Sequence, residues 1–261
     1  MAVLITGASG GLGRAFAIEC AERGYDILLT DINVEGLGKV KTGIERQYDV
    51  CVYVKPCDIT NDSEVDSLIT FAKEAGIQLD MLLNVAGIDY EGGFVEQNFD
   101  NVSKILRVNI EASLRITYKA LSLRRRSGRF YIVFVSSLAS MYPMPLKATY
   151  AASKRFLLDF SIAVGQELKH KNVSVLALCP GGMPTTSECI KAIEAQGFWG
   201  GVTTNHLEKV AHRTISKSLC GKKVYIPGTI NRIFSIAGKF IPTGITARLL
   251  YNRWSKAQQK H

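Results

Sequence analysis

No aspartate and no glutamate follow Glu208, although the chain runs on for 53 residues to His261. Eleven Lys and Arg lie in that stretch, so of the net charge of +9 the first 208 residues carry −2. A uniformly basic protein is thereby excluded; the positive charge belongs to the C-terminal fifth. Six cysteines (20, 51, 57, 179, 189, 220) form no C-x-x-C pair and no metal-ligand spacing, and the four histidines do not group with them. Reduced thiols and no metal site are expected. No run of 18 apolar residues exists to span a membrane. No basic leader precedes an apolar stretch, so a signal peptide is not expected and the location is read as cytoplasmic. Internal repeats and low-complexity tracts are absent, and 261 residues with 47% hydrophobic content suit one large domain.

Strand and helix signals alternate along the chain. Apolar segments at 2–6, 25–30, 49–54, 79–86, 129–137, 172–178 and 222–227 read as strands. Helical patterns lie between them at about 12–23, 34–47, 62–75, 99–124, 148–170 and 206–219, with Asn61 or Asp62 as cap of the third. The strands are continuously apolar rather than alternating, which points to a sheet covered on both faces. The expected fold is α/β: a doubly wound parallel sheet of about seven strands, a Rossmann fold, with helices on both faces. Ligands of such sheets bind at the carboxyl ends of the strands. The expected division is a catalytic domain over 1–228, with a substrate lid at 185–205, and a basic amphipathic extension over 229–261.

The first strand runs into T-G-A-S-G-G-L-G at 6–13. Glycines 7, 11 and 13 allow a tight turn, close backbone approach to a pyrophosphate and close helix-to-strand packing, and the helix beyond offers unpaired N–H groups. Asp31 ends the second strand, 18 residues past Gly13. A carboxylate there accepts hydrogen bonds from an adenosine ribose and repels a 2′-phosphate. Position 10 is Gly and no basic residue follows at 32 or 33. NAD is therefore favoured over NADP; the competing reading makes Asp31 a turn former before Asn33. Further on, the segment TYAASKR at 149–155 spaces a phenol and an ammonium four apart, so Tyr150 and Lys154 stack on one helix face among small residues.

TGASGGLG, Asp58 in CDIT, NVAG (84–87), Asn109 in VNI, Ser137 in VSS, YAASK and PGGMPT (180–185) occur in one order across residues 1–185. In that pattern the chain resembles the short-chain dehydrogenase/reductase family. The glycine spacing and length resemble its single-domain branch, and the tail resembles a bacterial subgroup ending in a basic apolar segment. Many of that subgroup carry Arg near position 31, where this chain has Asp. The resemblance implies cofactor contacts from Thr6, Gly7, Ser9, Gly11, Leu12, Gly13 and Asp31; from Asp58 and Ile59 at adenine; and from Asn84, Ala86 and Gly87 on the adenosine side. It also implies contacts from Tyr150 and Lys154, and from Pro180, Gly181, Met183 and Thr185 beside the nicotinamide. A plain turn competes as the reading of Pro180-Gly181.

A free phenol has a pKa of about 10, and lowering it by two to three units takes roughly 3–4 kcal/mol of differential interaction. The Lys154 ammonium can supply much of that. Tyr150 is accordingly the expected general acid/base, with Lys154 tuning it. Ser137, at a strand end 13 residues earlier, would orient the substrate oxygen; Ser136 is its rival. By resemblance Asn109 holds a relay water, against the plain reading of a polar residue on a solvated helix face.

Phe198, Trp199 and Met183, with Met141, Tyr142, Pro143 and Met144 opposite, would make an apolar substrate lining, with hinge glycines at 197, 200 and 201. The expected activity is interconversion of a lipophilic secondary alcohol and ketone, such as a hydroxysteroid, bile acid or acyl-chain compound. The alternatives are an NADPH-dependent carbonyl reductase and a non-catalytic dinucleotide-binding redox sensor. A homodimer or homotetramer through helices 99–124 and 148–170 follows from the resemblance. Nucleic acid is not expected as a partner, since no binding motif accompanies the charge. Arg124, Arg125 and Arg126 are expected to favour a helix C-terminus. In the tail, apolar residues at helical spacing with basic neighbours fit an interfacial helix on anionic lipid, a helix packed on its own domain, or an oligomer interface. Thr243 is the expected cap of the second tail helix.

Overall fold

A computed structural model describes residues 1–185, 203–237 and 240–258. The described strands form one seven-stranded parallel sheet: β1 (Ala2–Thr6), β2 (Asp26–Thr30), β3 (Val52–Val54), β4 (Met81–Asn84), β5 (Phe130–Val135), β6 (Val173–Leu178) and β7 (Val224–Tyr225), in the order β3-β2-β1-β4-β5-β6-β7. Helices α1 (Gly11–Glu22), α2 (Val34–Glu45), α3 (Asp62–Glu74), α4 (Phe99–Leu106), α5 (Ser113–Ala120), α6 (Ala148–Glu167) and α7 (Leu207–Leu219) connect them; α8 (Thr229–Ala237) and α9 (Thr243–Gln258) follow the last strand.

Successive strand residues point to opposite faces, and the core divides accordingly. Val3, Ile5, Ile27, Leu29 and Leu83 pack with α1, α2 and α7. Leu4, Leu28, Leu82, Ile132 and Phe134 pack with α3, α5 and α6. Every one of these side chains is at most 1% exposed, and each large apolar group so buried is worth about 1.5–3 kcal/mol. Asn33, Asn61 and Asn98 cap α2, α3 and α4 by accepting from the N–H of Gly36, Ser63 and Asp100, contributing about 1 kcal/mol each.

Several features depart from the sequence-based expectation. The strand expected over 49–54 starts only at Val52. The helix expected over 99–124 is broken by a π-helical stretch at Arg107–Ala112 and ends as an α-helix at Ala120. The arginine triplet consequently lies beyond that helix. Arg124 bridges Leu79 in parallel and donates to the Lys171 carbonyl, while Arg125 pairs with Asp80 at 2.8 Å. These residues tie the chain to the amino-terminal edge of β4 instead of capping a helix.

Candidate active site

β1 lies between β2 and β4, so the order in which strands are added to the sheet reverses there, and a crevice opens at the carboxyl end of β1. Gly7 enters that turn with φ +64°; a Cβ there would stand 2.8 Å from the Ala86 backbone. A Cβ on Gly13 would strike the Gly7 carbonyl, so helix and turn can close only on glycine. Gly10 caps α1 with no side-chain hydrogen bond, and the first turn carries no acid. The leading N–H groups of α1 and its positive dipole end are thus left for a phosphate. Thr185 comes over this loop, its Cα 3.1 Å from where a Gly11 Cβ would be. Asp31 accepts from the Ser9 N–H and the Asn33 N–H, both at 3.0 Å. Its carboxylate therefore braces the phosphate loop and forms the local turn at the same time.

Several expected cofactor residues act from behind the crevice. Thr6 is buried and its hydroxyl accepts from Val85 and Ala86, fixing β4's exit. Leu12 and Ile59 are core residues, leaving only their backbone to a ligand. Asp58 accepts from the Thr60 N–H and hydroxyl. Asn84 turns its amide to Thr117 on α5, donating at 2.9 Å, so its side chain joins sheet to helix; its Oδ1 has no partner among the described residues.

The proton-transfer candidates converge. Lys154 is 4% exposed, and its Nζ donates to the Val135 carbonyl at 3.0 Å and lies 5.6 Å from the Tyr150 ring centroid. Burial lowers its pKa to about 8, against the opposing pull of Asp89 and Cys179. Tyr150 stands half-buried one turn earlier on the same helix. Ser136 is buried and donates to the Lys154 carbonyl at 2.7 Å, so it holds α6 against the end of β5. Ser137 is the less buried of the two, its hydroxyl accepting from the Ala139 N–H at 3.1 Å.

Asn109 is fully buried, which overturns the reading of a solvated helix face. It sits in the π-helical stretch, a feature frequent at functional sites. Its Oδ1 accepts from the Ile88 N–H and its Nδ2 donates to the Ile88 carbonyl and Ser153 Oγ. Gly87 lies against this group: a Cβ there would stand 2.9 Å from Lys154 Nζ and 3.2 Å from Asn109 Oδ1.

Two supporting groups went unread in the sequence. Lys147 pairs with Asp89 at 2.7 Å and Glu91 at 3.2 Å, and lies 5.9 Å from the Tyr150 ring centroid and 5.3 Å from that of Trp254. Burial pulls the Lys147 pKa down, but the two carboxylates outweigh it and the net shift is upward. At the end of β6, Gly181 donates to Asn205 Oδ1 and Asn205 N–H donates to the Gly182 carbonyl, both at 2.8 Å. Asn231 of α8 then donates to the Thr203 and Pro227 carbonyls. The only sequence sign of either group is a polar residue within an otherwise apolar or glycine-rich stretch.

Met183 packs on the core cluster beneath α1 and α7, and Met141 against Leu158, Ala177 and Cys179. Met144 is half-buried beside Lys147, whose N–H its carbonyl accepts. Phe198, Trp199 and the rest of 186–202 lie outside the described residues. Among the described residues no group of His, Cys, Asp and Glu has metal-site geometry.

A family model for short chain dehydrogenase matches residues 1–193. The chain belongs to that family. Curated relatives include a very-long-chain 3-oxoacyl-CoA reductase from Laccaria bicolor, 28% identical over 66% of this chain and 52% of that protein. Another is a 2,5-dichloro-2,5-cyclohexadiene-1,4-diol dehydrogenase from Sphingobium indicum, 33% identical over 70% of this chain and 72% of that one. This chain's match thus spans about half the length of the first and nearly three quarters of the second. Among solved structures, an L-sorbose reductase from Gluconobacter frateurii complexed with NADPH superposes with TM-score 0.77 at 21% identity, over 87% of this chain and 94% of that one. An NAD+-bound xylitol dehydrogenase does so with TM-score 0.76 at 20% identity, over 87% and 96%. At these identities the structures attest the fold. The glycine turn, the uncapped start of α1 and Asp31 fit the nicotinamide dinucleotide that this family binds.

Proposed function

We propose that the chain is an NAD(H)-dependent oxidoreductase that interconverts a secondary alcohol and a ketone. The observation that carries this reading is the buried Lys154 ammonium beside the Tyr150 ring, at the carboxyl end of β5, which leads into Ser137. When bound, the nicotinamide accepts or supplies the hydride. Tyr150 takes the alcohol proton in oxidation and returns it in reduction. Lys154 stabilises the phenolate that forms, and Ser137 donates to the substrate oxygen as charge develops on it. Asn109 holds the Ile88 backbone and Ser153 in place, and by family resemblance orders a water toward Lys154. Glycines 7, 11 and 13 with the start of α1 hold the pyrophosphate, and Asp31 takes the adenosine ribose, which favours NAD over NADP.

The substrate class is a lipophilic alcohol or ketone: a hydroxysteroid, bile acid or acyl-chain compound. Support comes from Tyr142 and Met144, which follow Ser137 closely in sequence, and from the acyl substrate in one relative's name. The exposed Phe99, Leu106, Tyr118, Phe156 and Ile162 on α4, α5 and α6 support a homodimer or homotetramer through these helices. The glycine spacing supports the single-domain branch. The test is turnover of a hydroxysteroid, acyl-chain and simple secondary-alcohol panel with NADH and NADPH, and with their oxidised forms. The expected result is NAD-linked turnover that falls by about 10²–10⁴ in Tyr150→Phe with cofactor affinity kept. Tight cofactor binding with no turnover across the panel would favour a redox sensor instead.

A further inference from the structure

We infer that the outer face of α8 and α9 docks on an anionic lipid surface. The placement of α8 is inverted for a helix in water. Its most buried side chains are polar: Asn231 is 1% and Ser235 5% exposed, with Phe234 half-buried, while Ile233 and Ile236 stand 57% and 58% exposed. The usual arrangement buries the apolar stripe and solvates the polar one. The orientation is held by bonds that leave the helix: Asn231 donates to the Thr203 carbonyl at 3.2 Å and to Asn205 Oδ1 at 3.4 Å. Asn231 also donates to the Pro227 carbonyl and Ser235 to the Arg232 carbonyl, within the helix's own turns. Rolling α8 to hide its isoleucines would strand the Asn231 amide.

The exposure continues beyond α8. Phe240 is 83% exposed, and Ile245 and Leu249, which share a face of α9 one turn apart, are 54% and 60% exposed. Eight of the exposed large apolar side chains among the described residues fall between positions 230 and 251. Concentrations of this kind mark interaction surfaces.

Charge selects the occupant. From Thr229 onward there are six basic residues and no acid, and Arg232 and Arg248 are exposed next to Ile233 and Leu249 in sequence. A second copy meeting this face would set two acid-free basic surfaces against each other. An anionic headgroup layer over acyl chains matches both the arginines and the isoleucines. No helix among the described residues is long and apolar enough to cross a membrane, so the helices lie in the interface. The surface adjoins the candidate site, since α8 touches the turn after Ser137 and Trp254 of α9 lies against Lys147. Access for a lipophilic substrate from the bilayer would follow if the proposed function holds; the docking surface itself rests on no catalytic reading.

The test is co-sedimentation of the full chain with phosphatidylcholine vesicles, and with vesicles that also contain phosphatidylglycerol, alongside its solution mass without lipid. The chain is expected to pellet with the anionic vesicles alone and to be released by about 1 M salt, where screening falls to about 3 Å. Ile233→Ser with Ile236→Ser, which alters only exposed side chains, should lower partitioning at least about tenfold with unchanged melting temperature. Arg248→Glu should lower it about tenfold. The inference is overturned if the chain stays in the supernatant with anionic vesicles, or if the double variant pellets as before. It is also overturned if that variant lowers the lipid-free mass, because a second copy would then cover the face. None of these readouts depends on turnover.

Discussion

Gly87→Ala isolates the packing around Lys154. Gly87 does not have positive φ, so alanine brings no backbone strain, only a methyl group. That methyl would stand 2.9 Å from Lys154 Nζ and 3.2 Å from Asn109 Oδ1. Ordinary contact lies at about 3.5–4.0 Å, so the amine must retreat by about 0.6–1 Å. Its bond to the Val135 carbonyl, now 3.0 Å, is the one that stretches. The amine is the end of a flexible side chain, so the cost to folding is modest, about 1 kcal/mol, or about 2–4 °C in Tm. Catalysis is less forgiving: a misplacement of about 1 Å costs on the order of 10²-fold. Steady-state kinetics on a substrate from the panel should show kcat/KM down by about that factor with the fold intact by circular dichroism. Gly38→Ala on α2, where nothing stands within 4 Å of the added methyl, is the control; it should leave kcat/KM unchanged and raise stability by about 0.4–1 kcal/mol. A Gly87→Ala variant with kcat/KM within about twofold of the parent would refute the reasoning.

Burial holds Lys154 at about 8 against an ordinary 10.5. The charge that tunes Tyr150 is thus present below pH 8 and lost above it, and kcat/KM for ketone reduction should fall through that point; a flat profile to pH 10 would contradict it. The same depression means that the folded chain holds fewer protons than the unfolded one between about pH 8 and 10.5. The contribution of this group to stability therefore rises with pH across that window, readable as the pH dependence of urea unfolding. Asp31→Ala should weaken NADH binding and relax discrimination against NADPH, measured by fluorescence titration, because it removes both the ribose acceptor and the brace on Ser9. Asn231→Leu should cost about 1–3 kcal/mol, the penalty for unpairing the buried Pro227 and half-buried Thr203 carbonyls, and should lower Tm in thermal denaturation.

The elements and the outline of the site were open to reading because each is encoded locally. A continuously apolar strand such as Val3–Ile5 needs cover on both faces wherever it lies, and Asn61 caps α3 through its own neighbours. TGASGGLG and YAASK are likewise short enough that one turn or one helix determines their geometry. Other features depend on contacts between distant segments. That Ser136 spends its hydroxyl on the Lys154 carbonyl, 18 residues away, is visible only in the structure. The competing reading of Asn109 as a solvated residue assumed a regular exposed helix, whereas the residue lies buried in a π-helical stretch.

By itself, then, the amino-acid order determined the parallel sheet, the glycine turn at its head and the tyrosine–lysine pair, since helix and strand periodicity act over a few residues. The tertiary structure alone decided that Gly87 must make room for Lys154, that Lys147 sits between Asp89 and Trp254, and that α8 turns its isoleucines outward. Each of these is a distance between residues far apart in sequence. Only packing of the whole chain sets such distances.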